Sequence, residues 1–322
     1  MIITAKEMKD FELNPIIETK HYVSQYETAT EMIKKLKQRV WLYGGDDKEA
    51  LSHIAYFNLF EKGKVELKKC IRRTLNAYEE TFPIWHEWLK PNQFGIGEAL
   101  AAQLIIRLNY KFIPIMEDCP HCKGKKCSRC KNTGQKKKAP PEFVIERRHW
   151  HNPSSIHHFC GVHCVYDEEL GMNRAARRSD LAENGIERKE GGGYSTAMGP
   201  ILWQIEGQFM QHGKAYREIF DLFWEEIKRK KPENGCQWCK DKKLSHKKHQ
   251  VQMARRKTAK VFLTHWYVVD YTLRGLPVTK PYPISILGHT NYIKPPYFDK
   301  EIVYLESQNR RNPSMICEPA IS

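Results

Sequence analysis

Gln93-Phe94-Gly95-Ile96-Gly97-Glu98-Ala99-Leu100-Ala101-Ala102-Gln103-Leu104-Ile105 couples a two-glycine turn to a run whose Ala and Leu spacing is that of a helix. Just upstream, a short helix through Trp85 and Trp88-Leu89 is expected to end before Pro91. Together these pieces read as a helix-hairpin-helix, and they set the expectation of a mainly α fold. Glycines at 95 and 97 can bring backbone N–H groups close to a phosphate, at the start of a helix whose dipole favours anions. The bland alternative is a tight turn between two core helices.

After the hairpin helix come Cys119, Cys122, Cys127 and Cys130, a CxxC-x4-CxxC array. Each CxxC turn can present two thiolates, and the four together suit one tetrahedral zinc. A reduced surface loop or a pair of disulfides is the alternative. Lys123, Lys125, Lys126, Arg129, Lys131, Lys136, Lys137 and Lys138 fall among residues 123–138, which hold no acid. Metal ligation would fold these cations into a compact finger, inserted at about residues 117–140, whose phosphate contacts would be electrostatic and blind to sequence.

Upstream, residues 1–82 read as a helical arm. Thr28-x-x-Glu31 resembles a capping box, followed by Met32, Ile33, Leu36 and Val40 on one helical face. A turn at Gly44-Gly45 precedes a second helix, started by Asp46-x-x-Glu49 and carrying apolar residues from Leu51 to Leu75, with Gly63 as a candidate interruption. Such a pair makes either an antiparallel or coiled-coil arm that lets the chain self-associate, or an ordinary helical subdomain.

Downstream, Ser154 to Val162 reads as a short helix and residues 167–193 as a polar loop or lid. Helical periodicity resumes near Met198 and continues after Gly213, with aromatic residues assigned to the core. A second candidate metal set is Cys236 and Cys239 followed by His246 and His249, with Ser245 capping the helix that carries both histidines. Cys160 and Cys164 could join Cys236 and Cys239 instead, or all could be free thiols. The same helix carries Arg255, Arg256, Lys257 and Lys260, a basic stretch suited to a phosphate backbone. From residue 277 the chain is a proline-rich tail with no assigned chemistry.

With 322 residues and a net charge of +15, the chain is expected to bind a polyanion, most simply DNA or a structured RNA. No signal-peptide core is visible, and no run approaches the roughly 18 apolar residues of a membrane span, so a cytoplasmic protein with no membrane partner is expected. Ten cysteines, eight of them in close pairs, read as metal ligands in a reducing compartment rather than as a disulfide scaffold.

Three stretches resemble the C-terminal half of the insertion-sequence-110-type transposases, the bridge-RNA-guided class that includes the 116 and 902 relatives. Phe94-Gly95-Ile96-Gly97 with Ala101-Ala102 is similar to that family's hairpin. Ile156-His157-His158-Phe159-Cys160-Gly161-Val162 is similar to a helix end in the family, and His249 to Trp266 to its closing helix. The likeness spans residues 83–275 and implies DNA recombination by a mobile element. The family's RNase H-like metal-binding half has no visible counterpart here. Its nucleophilic serine, in a Ser-Gly setting, is matched only by Ser179 or Ser195, neither followed by Gly; Ser195, after three glycines and a tyrosine, is the better candidate, against an ordinary capping serine. Residues 119–134 are also similar to a half-module of the DnaJ zinc domain, without implying a chaperone role.

The expectation is therefore a helical arm at 1–82, a helix-hairpin-helix domain at 83–276 with a zinc finger insert, and a tail at 277–322. Its expected function is nucleic-acid binding with one zinc ion and a candidate second. An active serine-dependent transposase and a zinc-stabilised protein adaptor are the alternatives.

Overall fold

The computed structural model describes residues 14–43, 48–119, 121–123, 125, 133, 135–137, 143–167, 172–175, 195, 197–230, 239, 245–280 and 292–305. It is mainly α, as expected, with short two-stranded pairings between helices. The chain divides into two compact units, Met1–His149 with Thr196–Thr258, and Trp150–Ser195 with Ala259–Ser322.

In the first unit, α1 (Pro15–Tyr43) and α2 (Lys48–Ala77) form the expected hairpin. Lys37 Nζ lies 5.3 Å from the Phe57 ring and Lys64 Nζ 5.4 Å from the Tyr26 ring, a register that runs the two helices antiparallel. Val23, Ile33 and Leu36 of α1 and Ile71 and Leu75 of α2 are buried. The expected capping box is not one, since α1 begins further upstream. Asn14 Oδ1 accepts the Ile16 N–H at 3.0 Å, while Thr28 lies mid-helix with its hydroxyl donating to the Ser24 carbonyl. Gly63 interrupts nothing, and Asp46 lies outside the described residues.

The boundary expected at residue 82 does not separate two bodies, because α1 and α2 both pack on α4 (Glu98–Leu108), the hairpin helix. Arg107 Nη2 lies 2.7 and 2.8 Å from the two carboxylate oxygens of Glu27, and Arg72 Nε lies 2.6 Å from Glu98 Oε1. The hairpin's first arm is a π-helical turn, Trp85–Leu89, continued by one turn, α3 (Lys90–Asn92). The helix thus runs past Pro91 and does not end before it. Gln93 then takes a left-handed φ of 49° and ends it. Phe94 is fully buried, edge-on to Trp88 at 5.4 Å and to Tyr216 at 5.1 Å.

The segment expected to hold the finger insert is flanked by a β-ribbon that periodicity did not reveal. β1 (Tyr110–Pro114) pairs antiparallel with β4 (Phe143–Arg147), and beyond them β2 (Met116–Asp118) pairs with β3 (Gln135–Lys137). Lys20 of α1 packs against the β1–β4 pair, its ammonium 4.0 Å from the Phe112 ring and 3.3 Å from that of Phe143. Further along, α6 (Met198–His212) and α7 (Ala215–Lys230) meet at Gly213, where a side-chain carbon would lie 2.5 Å from Phe209 Cα. Phe220, Ile227 and Ala254 form the small core between α7 and the first half of α8 (His246–Leu273).

The second unit holds α5 (Pro153–Phe159), capped by Asn152, whose side chain accepts the Ser155 N–H at 3.0 Å. It also holds the antiparallel pair β5 (Cys164–Asp167) and β6 (Met172–Ala175), the second of which lies in the stretch 167–193 expected to be loop, together with α8 from Ala259 onward. Phe262, Trp266 and Tyr267 are buried, and the Tyr271 hydroxyl donates to the Trp150 carbonyl at 2.6 Å. The described residues of the proline-rich tail pack here: Val278 pairs with Tyr304 in a parallel bridge, and the Ile293 carbonyl accepts from His265 Nε2 at 2.7 Å.

Candidate metal centre

Cys239, His246 and His249 converge at the start of α8, their donor atoms all within 4.8 Å of one another. Ser245 begins that helix, as expected: its Oγ accepts from Lys248 N at 3.5 Å and its carbonyl from His249 N at 3.1 Å. The three-residue spacing then brings both imidazoles onto one side, with ring centroids 6.4 Å apart. Cys239 Sγ is buried between them, 3.1 Å from His249 Nδ1 and 3.5 Å from His246 Nδ1. A tetrahedral zinc with bonds of about 2.3 Å to sulfur and 2.0 Å to nitrogen holds those atoms about 3.5 Å apart. The donor set and its separations therefore fit a metal ion, and the cluster can hold one. Cys236, expected as a further ligand, lies outside the described residues. The alternative partner Cys160 is buried in the second unit, and the side chain of Cys164 lies outside the described residues.

At the finger, Cys119 is buried and Cys122 half-buried. The Cys122 and Lys123 N–H groups both point at the Cys119 carbonyl, at 3.2 and 2.7 Å, and Lys123 takes a left-handed φ of 47°. This tight turn holds the first thiol pair at the end of the ribbon, and Lys123 and Lys125 are exposed beside it. Cys127, Cys130, Lys126 and Arg129 lie outside the described residues.

The two hairpin glycines do different work. Gly95 has φ +80°, and a side-chain carbon there would lie 3.1 Å from His212 Cβ and 3.2 Å from the Gln208 carbonyl, so the left-handed backbone and the close approach to α6 together account for glycine. Gly97 caps α4 in an extended conformation, and a side-chain carbon there would meet nothing within 4 Å.

The basic stretch of α8 is not one solvated face. Arg255 donates to the Trp203 carbonyl at 2.8 Å and approaches Glu206 to 3.3 Å, with side-chain exposures of 16% and 13%. Burial raises the Glu206 carboxyl, against the opposing pull of Arg255 and Arg256. Lys257 pairs with Glu226 at 3.1 Å. Lys260 belongs to the second unit, where its carbonyl lies 3.0 Å from His157 Nε2. Since a carbonyl only accepts, Nε2 carries the hydrogen there and in the His265–Ile293 bond. Both imidazoles are held down to about 4, chiefly by burial, with the Lys260 charge adding to the effect on His157. Nothing in the spacing of His157 marked it as buried. Ser195 is half-buried, and its N–H donates to the Phe159 carbonyl at the end of α5, at 2.8 Å.

None of the described helices is long and apolar enough to cross a membrane. Comparison with family models, with curated proteins and with solved structures finds no match to this chain.

Proposed function

We propose that the protein binds nucleic acid through backbone phosphates, with zinc ions bracing its basic surfaces, and that it is related to the DNA-binding half of a mobile-element transposase. The observation that carries this reading is the exposure of Lys123 and Lys125 at the end of the β-ribbon, on a chain of net charge +15. A stalk held against α1 by Lys20 carries the exposed Lys123 and Lys125 at its end. In this reading the backbone N–H groups at the start of α4, beside the Glu98–Arg72 pair, are a second place for a phosphate. Of the α8 cations, Arg255 and Lys257 serve mainly to pair Glu206 and Glu226.

In this reading Cys119, Cys122, Cys127 and Cys130 hold one zinc, and Cys236 completes a second site with Cys239, His246 and His249. That second zinc would close the connection between α7 and α8 and fix the start of the helix that carries Arg255. The relation to transposases rests on the order of three motifs: the glycine hairpin, the end of α5 through Gly161, and the basic closing helix.

Purifying the full chain without added metal or nucleic acid tests both parts. Metal analysis is expected to find close to two zinc ions per chain, and sequencing of the copurified material to find nucleic acid. A preparation free of both overturns the reading. A second reading, an adaptor that binds protein through the arm, draws on Trp41 and Leu59, which are 83% and 64% exposed; it requires partner binding that survives neutralisation of the finger lysines.

A further inference from the structure

Trp203 stands on the wrong side of its helix for a core residue. The buried face of α6 is Met198, Ile201, Leu202, Ile205 and Phe209, and Trp203 projects from the opposite side with 66% of its surface exposed. Packing therefore does not account for a tryptophan at this position. Beside it lies a fixed cation. The Arg255 guanidinium is 5.3 Å from the indole centroid, and it cannot swing away freely because it bonds the Trp203 carbonyl at 2.8 Å and contacts the part-buried Glu206 at 3.3 Å. The ring is thus a pre-oriented aromatic surface backed by an anchored arginine.

The neighbouring face of α8 extends this surface. Lys248, Gln252 and Arg255 follow each other at spacings of four and three residues, so they share one face, and Lys248 and Gln252 are exposed. Lys248 stands about 10 Å along the helix axis from Arg255, at about 1.5 Å per residue. An open aromatic ring, an amide that can bond base edges and a lysine within one short track match what an unpaired nucleotide offers: a π face, polar edges and a phosphate. A duplex, whose bases are stacked inside, offers no base face to the indole.

We infer that Trp203, with Arg255, Gln252 and Lys248, forms a stacking site for an unpaired base of single-stranded nucleic acid. The inference rests on the nucleic-acid-binding reading above and adds to it a site that the lysine-rich finger does not supply. A protein segment packing on the exposed indole is the competing occupant, and the test distinguishes them.

The full chain, as wild type, Trp203→Ala and Trp203→Phe, is titrated into a labelled oligothymidine of about 20 nucleotides and into a duplex of equal length, at several salt concentrations. Trp203→Ala is expected to weaken single-strand binding about tenfold and duplex binding less than about twofold, with the salt slope unchanged, and Trp203→Phe to retain most of the affinity. Because Trp203 is exposed, the alanine variant keeps its core. Equal single-strand affinity for wild type and Trp203→Ala overturns the stacking site while leaving phosphate binding intact. So does a Trp203→Ala change confined to self-association in sedimentation, which would assign the indole to a protein contact. Wild type that binds neither ligand overturns the broader reading as well.

Discussion

Cys239 Sγ lies 3.1 Å from His249 Nδ1, close enough for one metal ion to bind both the thiolate and the imidazole. The contact joins a residue in the connection after α7 to the first turn of α8. Replacing Cys239 by Ser, or His249 by Ala, is expected to remove one equivalent of zinc. The same changes should lower the thermal midpoint, since metal affinity for the folded site adds directly to stability. Metal analysis of the purified variants, with thermal scans before and after chelation, checks both.

The pairing of Glu27 with Arg107 ties the arm to the hairpin helix across a long separation in sequence. Arg107→Met is expected to cost about 1 kcal/mol, because the pair is only partly screened and leaves Glu27 without its cation. Denaturant unfolding of the variant measures the loss. A double variant with Glu27→Gln should recover part of it.

Gly95 and Gly97 separate packing from ligand contact. Gly95→Ala meets both a left-handed backbone and the 3.1 Å approach to His212 Cβ, so a loss of about 1–3 kcal/mol is expected. Gly97→Ala finds open space and an ordinary backbone angle, and its stability should stay within about 0.5 kcal/mol of wild type. A fall in nucleic-acid affinity for Gly97→Ala at unchanged stability would assign the start of α4 to a phosphate.

Acid should destabilise the second unit through His157 and His265. Both are neutral in the folded state down to about 4, whereas the exposed imidazole of an unfolded chain titrates near 6.5. Above 6.5 neither state binds the proton, so stability does not respond to pH. Between 6.5 and 4 only the unfolded chain takes protons, and each residue removes stability on the order of 2–3 kcal/mol by the lower limit. Unfolding midpoints measured from pH 7.5 downward should fall through this window, and less steeply in His265→Gln.

The arm, the glycine hairpin and the helices on either side of Gly213 were legible because each is specified locally, by a helical apolar stripe or a breaker residue. The β-ribbon was not: its strands are three to five residues long, and the lysines around the cysteines mask any alternation. The division into two units was hidden as well, since α4 contacts helices far upstream in sequence and α8 contributes to both units. At the candidate metal centre, Cys239, His246 and His249 were visible from spacing. Arg255 looked like a phosphate ligand because Glu206, which neutralises it, lies 49 positions away and only tertiary structure brings it near.

The salt dependence of nucleic-acid binding tests phosphate recognition most directly. The affinity of the metal-loaded chain for a duplex of arbitrary sequence, measured from low to physiological salt, should fall linearly on logarithmic axes with a slope of about −3 or steeper. Replacing Lys123 and Lys125 by Gln should reduce that slope by about one to two. An affinity that does not change over this range of salt contradicts the proposed function.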